Sequence, residues 1–183
     1  MMKDFIMLLT YLRIFFGPLI FVLSVFFEMY FASLVIFIVC SFSDFLDGFL
    51  ARKFNHESSL GKLLDPIADK ILLCSAILSI ILITNDNFIG LMGTLILIRE
   101  FWVSGLREYT AANHIRGASD VSYLAKIKTA LQFLAIGSYL FSFSYSFSLG
   151  IFISSFILFL SLLVSLKTGI TYTGNVEIGR AHV

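Results

Sequence analysis

The chain has 183 residues, of which 58% are hydrophobic, 16% aromatic and only 14% charged. Soluble domains are usually about 45–50% apolar and about 25% charged, so this composition excludes an ordinary soluble protein and indicates an integral membrane protein. The formal net charge of +1 is too small to indicate any partner by itself. We expect the lipid bilayer to surround the chain, and we expect no nucleic acid among its partners.

Six apolar segments follow one another along the chain, and each approaches the roughly 20 residues that a helix needs to cross a bilayer. They cover residues 11–27, 30–50, 63–84, 88–106, 121–143 and 149–166. The predicted fold class is therefore an all-α integral membrane protein with six transmembrane helices. The length suits one domain, which we expect to cover residues 1–172.

The basic residues indicate the orientation of these helices. The first, third and fifth connections contain neither Lys nor Arg, whereas basic residues surround the second and fourth connections and both termini. Lys and Arg are enriched on the cytoplasmic side of membrane proteins. We therefore expect both termini and the second and fourth connections to face the cytoplasm. Arg99 is the exception, because it lies inside the fourth apolar segment.

Residues 173–183 are expected to form a tail outside the domain. The sequence of residues 177–183, Glu-Ile-Gly-Arg-Ala-His-Val, breaks sharply from what precedes it. It corresponds to the translation of a common sequencing-library adapter, so these residues are predicted to be foreign to the protein. The alternative is a short, disordered cytoplasmic extension.

Four aspartates lie together in sequence in this otherwise apolar chain. Asp44 and Asp47 are three residues apart near the end of the second segment, and Asp65 and Asp69 are four apart in the third. Each pair therefore shares one helix face. The connection between the two segments is short and polar, so the helices should be antiparallel neighbours whose acidic pairs face one another.

Ionised carboxylates in membrane helices are costly and usually mark a functional site, and grouped carboxylates also repel each other. Arg52, Lys62 and Lys70 are available as partial counter-ions, but long basic side chains near helix ends tend to extend to the interface. Carboxylate ligands suit hard cations such as Mg²⁺ or Mn²⁺. The four aspartates therefore predict a divalent-cation site, and such a cation suits a phosphate-bearing substrate.

The spacing Asp44-x2-Asp47-Gly48-x2-Ala51-Arg52-x8-Gly61-x3-Asp65-x3-Asp69 resembles the signature of the CDP-alcohol phosphotransferases. The resemblance implies a six-helix membrane enzyme that displaces CMP from a CDP-linked donor with an alcohol and needs Mg²⁺ or Mn²⁺, as a pair of ions. It implies that all four aspartates bind metal and that Asp69 is the general base; whether Asp69 acts as base, ligand or both stays open. The residues that it implies for the CDP donor are Thr10, Arg13, Asp44, Gly48, Ala51, Arg52 and Gly61.

Two later stretches, residues 98–108 and 121–129, resemble the bacterial phosphatidylglycerophosphate synthase branch of that family. This branch transfers a phosphatidyl group from CDP-diacylglycerol to sn-glycerol 3-phosphate. The resemblance implies a homodimer in the bacterial cytoplasmic (inner) membrane with its active site facing the cytoplasm. It also implies that four basic residues bind the acceptor phosphate, since Arg offers a planar fork and Lys a point charge. These are Arg99, Arg107, Lys126 and Lys128.

Some positions depart from the family pattern or allow another interpretation. Residues 4–7 read Asp-Phe-Ile-Met where the family usually has Asn-Ile-Pro-Asn, and Ala125 stands where the branch usually has Gly. Lys126 and Lys128 are alternatively membrane anchors. Arg99 is alternatively a salt-bridge partner of Glu100 or of another helix, although adjacent residues do not face each other on a helix.

Three other functions stay open at this point. A sister enzyme would use inositol phosphate, phosphatidylglycerol or serine as the acceptor. A cation channel or carrier would use the aspartates to line a path. A catalytically inactive scaffold is disfavoured because the acidic signature is intact.

Overall fold

The computed structural model of the chain has six α-helices in its described backbone. They are α1 (Met2–Val25), α2 (Tyr30–Phe54), α3 (Ser59–Thr84), α4 (Asn87–Ala112), α5 (Tyr123–Ser144) and α6 (Ser148–Arg180). The structure describes the backbone of residues 2–54, 59–113 and 123–180, and the side chains of residues 7–43, 61, 63–113 and 123–177. No β-strand occurs within the described backbone, so the predicted all-α fold with six helices is confirmed.

Among the residues that the structure describes, four helices are long and apolar enough to cross a membrane. The candidate spans are Met7–Val25, Leu63–Thr84, Asn87–Ala112 and Ser148–Glu177, and each contains a strongly apolar stretch. Helix α2 adds a shorter apolar stretch, Tyr30–Ser43. Large aromatic side chains such as Phe15, Phe101 and Phe152 are exposed on these helices, as expected where lipid tails replace water as the solvent. The chain is a multi-pass membrane protein.

The three connections without Lys or Arg are tight turns. Each contains one non-glycine residue with a positive φ: Glu28 at 54°, Asn85 at 47° and Ser146 at 52°. This left-handed conformation reverses the chain within a few residues, and Asn adopts it more readily than most residues. After the second turn, the Asp86 carboxylate accepts hydrogen bonds from the backbone N–H groups of Phe88 and Ile89 and so caps α4.

The chain divides into two units by its internal contacts. The first unit contains Met1–Asn85 and Ile136–Ile151, and the second contains Asp86–Ala135 and Phe152–Val183. Helices α5 and α6 therefore each contribute one part to each unit.

In the first unit, α1 packs closely against α3. A Cβ atom added at Gly17 would lie 3.1 Å from Cγ2 of Ile71 and 3.2 Å from the backbone N and Cα of Leu72. Only a residue without a side chain allows two helix backbones to come this near, as is common at helix contacts in membranes. Ile20 and Ala76 are also buried in this unit. The close contact fixes which residues of α1 face α3 further along both helices.

In the second unit, α6 extends well beyond the predicted end of its apolar segment at residue 166. It continues to Arg180, through most of the residues that we expected to form a tail. The Oγ1 atoms of Thr168, Thr171 and Thr173 donate hydrogen bonds to backbone carbonyls of the preceding turn. Val176 is buried and packs against Leu106 and Tyr172. Hydropathy did not indicate this extension because it is polar at most positions.

The close contact at Gly17 gives a test by substitution. Replacing Gly by Ala in an exposed helix interior stabilises a helix by about 1 kcal/mol, and we expect Gly17→Ala to lose this gain because backbone atoms of Leu72 stand in the way. Gly137→Ala is the matched control, since nothing in the described structure lies within 4 Å of a Cβ there. Unfolding in mixed micelles should show Gly17→Ala less stable than Gly137→Ala. Equal stability of the two variants would contradict the close α1–α3 packing.

Candidate functional site

A polar cluster in the first unit connects α1 to α3. The Nη1 atom of Arg13 donates to Oδ1 of Asp69 at 2.5 Å, and its Nη2 atom lies 3.5 Å from Oδ1 of Asp65. Thr10 donates from its hydroxyl to the same oxygen of Asp65 at 2.6 Å. We call Thr10, Arg13, Asp65 and Asp69 the acidic cluster. It joins residues 55 and 56 positions apart in the chain.

The acidic cluster has a closed side and an open side. The Arg13 side chain is 0% exposed, whereas the side chains of Asp65 and Asp69 are 39% and 45% exposed. Residues 10, 13 and 17 of α1 meet residues 65, 69 and 72 of α3 in the same order, so the two helices run parallel here. Arg13 therefore reaches the carboxylates from the protein interior, and the carboxylates remain accessible to a ligand.

Arg13 is a counter-ion that the sequence analysis did not assign. We had predicted Thr10 and Arg13 as CDP-donor residues and had considered only Arg52, Lys62 and Lys70 as partial counter-ions. A buried guanidinium requires a charged or hydrogen-bonding partner, and the two aspartates of α3 supply it. One signal was available in the sequence, because Arg13 is a charged residue within the first apolar segment. The donor-binding role of Thr10 and Arg13 stays a prediction.

The other half of the predicted metal site lies on α2. Asp44, Asp47, Gly48, Ala51 and Arg52 are within the helical backbone of α2, so the predicted helical spacing is present. Their side chains lie outside the described residues. The convergence of the two acidic pairs therefore stays a prediction, as do the donor contacts of these residues. Gly61, predicted for the donor site, is buried in α3.

Asp65 and Asp69 have the chemistry that a divalent cation of the Mg²⁺ type requires. Hard cations prefer carboxylate oxygens, and both carboxylates are partly exposed. Their hydrogen bonds to Thr10 and Arg13 hold them in one orientation, which is how residues behind a metal ligand commonly act. These two residues fit the metal-ligand role that the sequence predicted for them.

A second polar cluster lies in the second unit around Glu100. The Oε1 atom of Glu100 accepts from Nζ of Lys128 at 2.5 Å, from Nη1 of Arg99 at 3.1 Å and from Nε2 of Gln132 at 3.3 Å. We call Arg99, Glu100, Lys128 and Gln132 the Glu100 cluster. It connects α4 to α5, and the side chains of its three charged members are only 8–15% exposed.

Arg99 also connects the Glu100 cluster to α6. Its Nε atom donates to the backbone carbonyl of Ser165 at 2.9 Å, and its Nη2 atom donates to the Thr168 hydroxyl at 2.7 Å. A Cβ atom at Gly169 would lie 3.1 Å from Cγ of Arg99, so this glycine makes room for the arginine. Neither Thr168 nor Gly169 was predicted as a site residue. Nothing in the sequence around them indicated a contact with Arg99.

The pairing of Arg99 with Glu100 differs from what adjacency on a helix led us to expect. The two Cα–Cβ bonds diverge, but both side chains are long, and their tips meet at 3.1 Å. Lys128 and Gln132 are four residues apart on one face of α5, and both donate to the same carboxylate. This spacing was a usable sequence signal for Gln132, which we had not included among the site residues.

Arg107 and Lys126 are the other two residues predicted to bind the acceptor phosphate. Neither makes a described hydrogen bond or ion pair with the Glu100 cluster. Arg107 is exposed on α4, and its Cζ atom lies 5.8 Å above the centre of the Tyr172 ring. This distance is within the range of a cation–π interaction. The Tyr172 hydroxyl lies 3.5 Å from Oγ1 of Thr110. Lys126 is exposed on α5. The structure thus brings Arg99 and Lys128 together around one carboxylate.

Comparisons with known proteins show what the chain is similar to. A family model described as CDP-alcohol phosphatidyltransferase matches residues 7–167. This range includes every member of the acidic cluster and of the Glu100 cluster, but it ends before Tyr172.

Several similar bacterial proteins are described as CDP-diacylglycerol–glycerol-3-phosphate 3-phosphatidyltransferase. One from Rickettsia felis is 47% identical over 102 residues, which cover 56% of this chain and 54% of that protein. One from Wigglesworthia glossinidia brevipalpis is 37% identical over 137 residues, covering 73% and 75%. One from Escherichia coli K12 is 36% identical over 106 residues, covering 58% of each. The match therefore spans little more than half of the Rickettsia felis and Escherichia coli proteins.

A double-mutant cycle tests the ion pair between Arg13 and Asp69. We expect Arg13→Gln and Asp69→Asn to be non-additive in the free energy of unfolding by about 0.5–3 kcal/mol, the range for residues in direct contact. The control pair is Arg13→Gln with Glu28→Gln, because Glu28 lies beyond the far end of α1. That control should be additive within about 0.5 kcal/mol. Additivity of the Arg13 and Asp69 substitutions would show that the two side chains do not pair.

Proposed function

The chain belongs to the CDP-alcohol phosphatidyltransferase family, and on this premise we propose that it transfers the phosphatidyl group of CDP-diacylglycerol to sn-glycerol 3-phosphate, forming phosphatidylglycerophosphate and CMP. The observation that carries the proposal is the acidic cluster, in which Arg13 and Thr10 orient two partly exposed carboxylates. The names of the bacterial relatives support the choice of donor and acceptor.

In the proposed reaction, the acceptor hydroxyl oxygen bonds to the phosphorus that carries diacylglycerol. The bond from this phosphorus to the bridging oxygen breaks, and CMP leaves with that oxygen. Asp69 takes the proton of the attacking hydroxyl, as a positioned carboxylate can. Arg13 holds Oδ1 of Asp69, so its proposed role is to fix the direction in which this carboxylate faces the acceptor.

We propose that Asp44, Asp47, Asp65 and Asp69 hold two Mg²⁺ or Mn²⁺ ions. Mg²⁺ or Mn²⁺ bound by these residues would neutralise the negative charge of the diphosphate. The described half of this set supports the assignment, because Asp65 and Asp69 are oriented by hydrogen bonds and remain accessible. The proposed donor site also includes Gly48, Ala51, Arg52 and Gly61.

The proposed acceptor site takes its charge from the basic residues of α4 and α5. Arg99 and Lys128 are buried together around Glu100, and Arg107 and Lys126 add exposed positive charge on the same two helices. Phosphate recognition by Arg and Lys is common, and it is strongest where water is excluded.

The proposed location is the bacterial cytoplasmic membrane, with the active site facing the cytoplasm. The one-sided distribution of Lys and Arg supports this orientation. A homodimer is the proposed assembly, by resemblance to the family.

The test is a transfer assay with the purified protein, CDP-diacylglycerol, labelled sn-glycerol 3-phosphate and Mg²⁺ or Mn²⁺. We expect label in the lipid phase, equimolar CMP and no product after chelation of the metal. Inositol phosphate, serine and phosphatidylglycerol should be inactive as acceptors. CMP release with one of these acceptors alone would overturn the acceptor assignment, and ion flux without any CMP release would favour the channel or carrier.

Arg107 gives a prediction for the acceptor. We expect Arg107→Ala to raise the KM for sn-glycerol 3-phosphate by about tenfold or more, because one charge-assisted contact to phosphate is worth about 1.5–3 kcal/mol, and to leave the KM for CDP-diacylglycerol unchanged. Lys167→Ala is the control, since it removes an exposed cation of α6 that has no proposed role. Initial rates at varied acceptor and donor concentrations measure both constants. Equal rises in the two KM values would remove Arg107 from the acceptor site.

A further inference from the structure

We infer that Glu100 is a positioning residue that sets the affinity of the acceptor site for phosphate, because its buried carboxylate partly neutralises both cations, Arg99 and Lys128, whose positive charge attracts the acceptor phosphate. This inference rests on the proposed function, since the anion concerned is the phosphate of the acceptor. Glu100 had no assigned role in the sequence analysis beyond that of an alternative partner for Arg99.

The Glu100 cluster carries more positive than negative charge. Two cations, Arg99 and Lys128, share a single carboxylate, and all three side chains are 15% exposed or less. The cluster therefore has a formal charge of +1 in a region where charges are weakly screened. Without Glu100, two like charges would be buried side by side. With it, one positive charge remains that a second anion can neutralise.

The two cations differ in how firmly they are held. Arg99 donates to Ser165 and Thr168 of α6 as well as to Glu100. Within the part of the chain whose side chains are described, the Lys128 ammonium donates only to Glu100. An ammonium group has three N–H donors, so two of them are available to an incoming phosphate. Lys128 is therefore the cation that turns towards the acceptor, while Arg99 stays in place.

The donors to Glu100 also converge on one atom. Lys128, Arg99 and Gln132 all donate to Oε1, so the carboxylate fixes the Lys128 ammonium at a point between α4 and α5. Glu100 thus has two opposing effects on acceptor binding. It places the lysine, and its negative charge weakens the binding of a phosphate nearby. A glutamine at this position keeps an oxygen acceptor for the lysine and removes only the charge.

The test compares four proteins: wild type, Glu100→Gln, Lys128→Met and the double variant. Their formal cluster charges are +1, +2, 0 and +1. We expect the KM for sn-glycerol 3-phosphate to fall about tenfold in Glu100→Gln and to rise about tenfold in Lys128→Met, as a change of one buried charge predicts. The double variant should recover a KM well below that of Lys128→Met. The KM for CDP-diacylglycerol should not change in any of them.

Glu108→Gln is the matched control, because it removes an exposed carboxylate from the same helix and should leave both KM values unchanged. An unchanged or raised acceptor KM in Glu100→Gln would overturn the inference and show that Glu100 only holds the helices together. The same conclusion would follow if the double variant were no better than Lys128→Met. If the Glu100→Gln variant does not fold, the acceptor KM of Lys128→Met compared with that of the double variant still tests the inference.

Failure of the proposed function is distinguishable from failure of this inference. A wild-type protein that does not use sn-glycerol 3-phosphate contradicts the proposed function. In that case, the affinity for inorganic phosphate, measured by calorimetry on wild type and Glu100→Gln, still tests the role of Glu100. Tighter phosphate binding by the variant supports the inference, and equal or weaker binding overturns it. Normal wild-type turnover with an unchanged Glu100→Gln variant contradicts the inference alone.

Discussion

The organisation of the first unit depends on the ion pair between the buried Arg13 guanidinium and the carboxylates of Asp65 and Asp69. A guanidinium among membrane helices is costly unless charged partners surround it. The two aspartates lie on successive turns of α3, so one arginine can reach both. Gly17, one turn further along α1, permits the close approach that makes this reach possible. The register of α1 on α3 and the orientation of the acidic face are therefore set together.

The second unit is built on the opposite charge balance. The acidic cluster has one cation and two anions, and the Glu100 cluster has two cations and one anion. Each cluster stabilises its own buried charges by pairing and keeps one formal charge in excess. The negative excess suits a divalent cation and the positive excess suits a phosphate. The proposed transfer needs both, since it joins a metal-dependent donor to a phosphorylated acceptor.

The sequence was most informative where the bilayer imposes a simple rule. Six apolar segments predicted six helices because a helix must cover the thickness of the hydrocarbon core. The predicted apolar segment stops at residue 166, whereas α6 continues to Arg180 with few apolar residues, among which Val176 is buried against Leu106 and Tyr172. The spacing of Asp65 and Asp69 placed both on one face of α3, as the structure shows through their shared partner Arg13.

Partners on different helices were harder to predict. Arg13 and Asp69 are 56 residues apart, and only the register of α1 on α3 reveals that they meet. The Arg99–Glu100 pair was disfavoured by local helix geometry, yet Lys128 and Gln132 of another helix help to hold the Glu100 carboxylate where Arg99 reaches it. Local spacing therefore identified which residues are chemically unusual, and tertiary packing decided which of them are joined.

The proposed divalent-cation site is formed by the carboxylates that Arg13 orients. The most direct measurement is a Mn²⁺ titration of the purified protein, followed by electron paramagnetic resonance of the free ion. We expect saturable Mn²⁺ binding by wild type and by Asp86→Asn, which changes only the cap of α4. We expect binding at least about tenfold weaker in Asp69→Asn, because one hard oxygen ligand is lost. Equal Mn²⁺ affinity of Asp69→Asn and wild type would contradict the proposed site.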